Sequence, residues 1–196
     1  PGYVDGAGDA ARFQIFGAIA VTPAGDVFLS DFDTAAGRAA IRRISSVGGV
    51  STFLLSPAQN STDSITPFGI SGLAADSAGN LFFADRPGST IRKVTPAGAV
   101  SILAGAHNQR GTLDGGGSAA TFYGPGAVCL ETSGDLLVID AEGRTLRRIT
   151  PSGAVSTIAG QPYPDFYSPF VVDGVGGSAV LLSTSAVSSD RSGNVY

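Results

Sequence analysis

One long phrase recurs along this chain at nearly constant spacing. It reads Gly79-Asn80-Leu81-Phe82-Phe83-Ala84-Asp85, then Thr90-Ile91-Arg92-Lys93-Val94-Thr95-Pro96-Ala97-Gly98-Ala99-Val100-Ser101-Ile102-Leu103-Ala104-Gly105. It returns as Gly134-Asp135-Leu136-Leu137-Val138-Ile139-Asp140, then Thr145-Leu146-Arg147-Arg148-Ile149-Thr150-Pro151 and on to Gly160. An earlier copy runs over 25–55 and a fourth opens at Gly193. The turn glycines Gly25, Gly79, Gly134 and Gly193 are spaced by 54, 55 and 59 residues. A unit of this kind cannot bury its own apolar surface, so it must stack on its neighbours.

Each unit holds four short apolar runs separated by turn signals, which predicts one four-stranded antiparallel sheet per repeat, the blade of an all-β propeller. The inner strand is built of small residues, as in Gly72-Leu73-Ala74-Ala75, because strands crowd near a propeller axis. The second strand, Leu81-Phe82-Phe83 in one copy, is apolar at consecutive positions and is expected to be buried on both faces. The units fall at 14–55, 70–105 and 126–160, with a truncated one at 184–196, all within a single partial propeller spanning 1–196.

The combination of a Gly-Asn/Asp turn, an apolar run ending in Asp, Ile/Leu-Arg-Lys/Arg-Ile/Val-Thr-Pro-x-Gly and Val-Ser-x-x-Ala-Gly resembles the NHL repeat family. So does Asp-Gly-x-Gly-x-x-Ala-x-Phe ahead of the inner strand, at 5–13 and 114–122, with a looser copy at 173–181. The second unit has Ser61-Thr62-Asp63-Ser64-Ile65-Thr66-Pro67-Phe68 in its place. NHL repeats commonly close as six blades, so the resemblance implies an incomplete ring of about half that number. It also implies a choice of roles: a non-enzymatic binding or structural scaffold, a metal-dependent hydrolase or lyase of the lactonase or strictosidine-synthase-like type, or an RNA-binding propeller.

Composition narrows that choice. The net charge is −4 and the sequence pI about 4.8, which disfavours nucleic acid as a partner. No apolar run is long enough to span a bilayer. The chain starts at Pro1 and has no methionine, which reads as an internal or processed piece of a longer protein. The lone cysteine, Cys129, reads as a small buried hydrophobe. Asn60-Ser61-Thr62 is an N-glycosylation sequon. With the acidic pI and abundant Ser and Thr, it points to an extracellular or cell-surface protein with a protein or glycan partner, and open blade faces suggest self-association.

Strand direction separates two faces. The Gly-Asn and Thr-Pro-x-Gly hairpins emerge on one. The interblade linkers and the loops between second and third strands emerge on the other, and variable loops of that kind carry binding. Asp33, Arg38, Arg86, Glu142 and Arg144 are its candidate binding residues. Asp31, Asp85 and Asp140 recur at one strand end and, like the turn glycines, read as structural repeat positions: caps accepting backbone N–H bonds, not a carboxylate ring for a cation. The pairs Arg42-Arg43, Arg92-Lys93 and Arg147-Arg148 read as stems packed between blades with exposed heads. His107 reads as a solvated loop residue. No catalytic residue, metal ligand or cofactor is expected.

Overall fold

The computed structural model describes residues 2–35, 37–56, 69–162, 171–182 and 184–196. Asn60 and the Ser61–Phe68 segment lie outside them. The fold is nearly all β. The first sheet contains β1 (Gly6–Ala7), β2 (Ile19–Val21), β3 (Val27–Asp33), β4 (Arg38–Ile44) and β5 (Gly49–Leu55). The second contains β6 (Ile70–Ala75), β7 (Leu81–Asp85), β8 (Thr90–Val94) and β9 (Val100–Ala104). The third contains β10 (Gly115–Gly116), β11 (Pro125–Leu130), β12 (Leu136–Asp140), β13 (Thr145–Ile149) and β14 (Ala154–Gly160). All pairings within these sheets are antiparallel.

Among the described residues two of the three sheets have five strands, so the expectation of four per blade needs correction there. The extra strand is the Asp-Gly-x-Gly segment itself. It precedes the inner strand in sequence yet pairs with the outermost strand of the same sheet, Gly6 opposite Val50 and Gly115 opposite Val155. It thus covers an edge that would otherwise show unpaired backbone. A 3-10 turn over Gly117–Ala119 follows β10 and stitches the second sheet to the third. Gly105 N donates to Gly117 O at 3.0 Å, and Gly117 N to Gly153 O at 3.0 Å.

Successive sheets meet at their inner strands, β2 against β6 and β6 against β11, as blades around an axis do. Small residues are required at that crowding: a Cβ on Gly72 would lie 2.5 Å from Gly126 O. Between the first and second sheets, Ala20, Phe28 and Ile41 pack on Leu73, Leu81, Phe83 and Val94. Between the second and third, Phe82, Ala84 and Ile91 pack on Val128, Leu136, Val138 and Ile149. Alternation along one strand therefore serves two cores, Leu81 and Phe83 one way and Phe82 the other. The turn glycines Gly25, Gly79, Gly134 and Gly193 have φ between +82° and +90°, the left-handed region that only glycine enters without cost.

The first sheet differs in one respect. Ile19, Leu73 and Val128 occupy the same inner-strand position, pairing with Leu29, Phe83 and Val138. Leu73 and Val128 are 5% and 7% exposed, and Ile19 is 62% exposed. Beyond the third sheet, a 3-10 turn at Gly176–Ser178 lies against β14, and a hairpin pairs Ser189 with Val195.

Candidate functional site

The recurring aspartates are the starting point. Asp31 Oδ1 accepts from the backbone N–H groups of Gln14, Ile15 and Phe32 at 3.0, 3.1 and 2.8 Å. Asp85 accepts from Gly88 N at 3.2 Å, and Asp140 from Tyr123 N at 2.7 Å. Each carboxylate also meets a buried guanidinium. Arg42 Nη1 donates to Asp31 Oδ2 at 3.0 Å, and Arg92 Nε to Asp85 Oδ2 at 2.9 Å. Arg147 Nη1 stands 3.5 Å from Asp140 Oδ2. These arginine heads are buried, so the expectation of exposed heads fails for the first member of each pair. The reason is alternation: Arg42, Arg92 and Arg147 lie on the same sheet face as the aspartate, paired across from Leu29, Phe83 and Val138. Arg43 and Arg148 face the other way, onto Asp26 and Glu131.

A second carboxylate completes the arrangement where the Asp-Gly-x-Gly strap is present. Arg42 Nη2 donates to Asp5 at 2.8 Å and Arg147 Nη2 to Asp114 at 2.7 Å. Asp5 also accepts from Thr52 N and Asp114 from Thr157 N, each at 3.0 Å. At the position of Thr52 and Thr157 the second sheet has Ile102, opposite Arg92. The sheet whose sequence lacks the strap also lacks the hydroxyl that would receive it. Burial acts to raise the pKa of Asp5 and Asp114, but the bonds from threonine and arginine outweigh it and hold both below the usual carboxylate range. Burial pushes the Asp140 carboxyl up to about 7, against the pull of Tyr123 N–H and Arg147.

These pairs set the loop face. The Tyr123 backbone, anchored by Asp140, accepts from Gly143 N at 2.9 Å, and Gly124 O accepts from Ala141 N at 3.2 Å. The linker is thereby fixed to the loop that carries Glu142. Glu142 Oε1 accepts from Arg86 Nη2 at 2.7 Å, joining the loops of the second and third sheets. A cleft of about 500 Å³ lies here, lined by Arg86, Pro87, Arg110, Gly124 and Glu142. A second of about 370 Å³ adjoins it through Glu142, with Tyr123 and Arg144 in its wall. The guanidinium carbon of Arg110 lies 5.8 Å from the Tyr123 ring centre.

Of the candidates read from sequence, Arg86, Glu142 and Arg144 are thus brought together. Asp33 and Arg38 are not: they pair with each other at the end of β3 and β4, within the sheet and not in a loop. Arg110 and Tyr123 were not singled out by the sequence. The signal lay in comparing straps, since Phe13-Gln14 in the first becomes Phe122-Tyr123 in the other, an aromatic residue with no counterpart. His107 is half-buried, and its Nδ1 is enclosed without a hydrogen-bond partner among the described residues, so it is not the solvated residue expected. Cys129 is half-buried, its Sγ 3.4 Å from Ser189 Oγ. Among the described residues no three His, Cys, Asp or Glu side chains converge to hold a metal ion. Nor is any described helix long and apolar enough to cross a membrane.

The opposite face also has crevices, but they recur. One of about 300 Å³ is lined by Asp26, Phe28, Arg43, Phe53 and Gly79, between the first two sheets. Its counterpart of about 170 Å³ between the next two is lined by Phe82, Lys93, Leu103 and Gly134. Equivalent residues make both, so they belong to the way repeats stack.

No family model and no curated protein matches the sequence. Solved structures do match in fold. A protein of unknown function from Bacteroides thetaiotaomicron superposes with a TM-score of 0.70 at 22% identity, over 92% of this chain and 43% of that one. An auxiliary nutrient binding protein from the same species gives 0.70 at 16%, over 93% and 44%. A catalytically inactive virginiamycin B lyase from Staphylococcus aureus, with quinupristin, gives 0.51 at 19%, over 76% and 42%. The chain spans less than half the length of each. At these identities the likeness establishes the fold alone: antiparallel sheets arranged as the blades of a β-propeller.

Proposed function

We propose that this chain is part of a non-enzymatic binding propeller of NHL type that takes its partner, a protein or a glycan, at the variable-loop face. The observation that carries this reading is the contrast between the two kinds of polar cluster. The buried charges Asp31–Arg42, Asp85–Arg92 and Asp140–Arg147 repeat in every sheet and are consumed in holding it together. The cluster of Arg86, Arg110, Tyr123 and Glu142 occurs once among the described residues and borders a cleft of ligand-binding size. A nutrient binding protein among the structural neighbours supports the same reading. An extracellular or cell-surface setting, with glycosylation at Asn60, belongs to this proposal.

The propeller also continues. The exposed face of the first sheet at Ile19 and Val21 matches faces that the preceding sheet buries in the second and third. Its occupant is a further sheet of the same repeat type, presenting a face like that of Phe28 and Ile41.

Binding screens on protein and glycan arrays test the function. The expected result is saturable binding without consumption of the ligand, lost on Arg86→Gln or Tyr123→Ala and kept on Arg43→Gln at the hairpin face. Turnover by the purified protein, abolished by one substitution, overturns the reading.

A further inference from the structure

The charge of the loop-face cleft runs against that of the chain. Arg86 and Arg110 bring two guanidiniums to its walls, Arg144 lines the adjoining cleft, and among the described residues Glu142 is the one carboxylate lining either, in a protein of net charge −4. One detail singles out Arg86. Arg86 directs both Nε and Nη2, at 3.3 and 2.7 Å, to the single oxygen Glu142 Oε1. A guanidinium edge offered in this way is the surface that carboxylates are recognised by.

The Arg86–Glu142 bridge is also easily exchanged. Arg86 is 46% and Glu142 38% exposed, and an exposed pair of this kind contributes little to stability. As a strut between sheets it adds little beside the cores of Phe82, Val138 and their neighbours. Resting on the loop face as the binding face, we propose that this cleft takes a small carboxylate-bearing ligand and that Glu142 competes with the ligand's carboxylate for Arg86. The ligand's acid group seats on Arg86 and Arg110. Glu142 sets the affinity by occupying Arg86 itself.

Competition has a directional signature that a plain basic patch lacks. Titration calorimetry of the full chain would use digalacturonate as probe, maltose as the uncharged saccharide and inorganic phosphate as a simple anion. Digalacturonate is expected to bind the unmodified protein, about tenfold more weakly to Arg86→Gln, and about tenfold more tightly to Glu142→Gln. Maltose and phosphate are expected to bind far more weakly. Thermal melts of both variants should match the parent, since the exchanged groups are exposed. Three results overturn the proposal. One is no digalacturonate binding by either the parent or Glu142→Gln. Another is weaker or unchanged binding by Glu142→Gln, which makes the bridge a structural element. The third is equal affinity for phosphate, which reduces the cleft to general anion attraction. Maltose binding that is lost on Tyr123→Ala but indifferent to Arg86 would sink the acidic ligand and keep the binding face. Turnover of any probe would sink the binding reading itself.

Discussion

Arg42 and Arg43 are adjacent in the chain and lead opposite lives. Arg42 is fully buried with its guanidinium 3.0 Å from Asp31, while Arg43 is 46% exposed and bound to Asp26 at 2.7 Å. The strand pleat sends one into the space between sheets and the other to the rim. The same division separates Arg92 from Lys93 and Arg147 from Arg148. A basic dipeptide that looks like a nucleic-acid stripe is, in its first member, a core residue, and Arg42, Arg92 and Arg147 are out of reach of a phosphate backbone.

Arg92→Met should therefore destabilise the protein by about 3–5 kcal/mol, because it leaves the Asp85 carboxylate buried without its cation. Lys93→Met, one residue on, should change stability by less than about 1 kcal/mol. Urea unfolding of the two variants checks the contrast.

The straps should be energetically separable from the sheets they edge. Asp114→Ala removes the acceptor for Thr157 N, Thr157 Oγ1 and Arg147 Nη2. A loss of about 1–3 kcal/mol is expected, with faster amide exchange at Thr157 and at Val155, opposite Gly115. Exchange followed residue by residue reads this directly. The second sheet, with Ile102 at the equivalent position, should exchange at its parent rate except at Gly105, whose N–H bonds to the strap at Gly117 O.

Much of this was legible in the sequence. The period, the two-sided second strand and the small inner strand follow from repeat spacing and residue size, and they give sheets stacked on one another. What was not legible was the bulge. In each sheet the outer strand slips register just before the buried arginine, between Ile41 and Arg42, Ile91 and Arg92, and Leu146 and Arg147. The slip turns Phe53 and Leu103 toward the cores and sets Thr52 and Thr157 opposite the arginine, where the strap aspartate binds. No residue type announces it. The loop-face site was legible only in part for a related reason. Arg86 and Glu142 are 56 residues apart, and only the stacking of the second sheet on the third brings them into contact.

Stability should carry a pH signature from Asp140. Its carboxyl is raised from 3.8 to about 7 in the folded protein, so the folded state keeps a proton that the unfolded chain releases. The unfolded chain then binds fewer protons across that window, and the contribution of Asp140 to stability falls as pH rises from about 4 to 7. Asp5 and Asp114 act oppositely. Their folded pKa values are depressed, so their contribution is present above the unfolded value and is lost only as pH falls through the lower folded one. Between pH 4.5 and 7.5, roughly the span set by linkage, the urea midpoint of the parent should decline relative to that of Asp140→Asn. Parallel profiles would remove Asp140 as the titrating group.

The account rests on sheets that hide one another's faces, and on a first sheet whose inner strand is exposed at Ile19 and Val21. Leu73→Ala and Ile19→Ala test both at once, since the two residues hold the same position in successive sheets. In the 196-residue chain, urea unfolding should show a loss of about 2–5 kcal/mol for Leu73→Ala and under about 1 kcal/mol for Ile19→Ala. Equal losses at the two positions would contradict it.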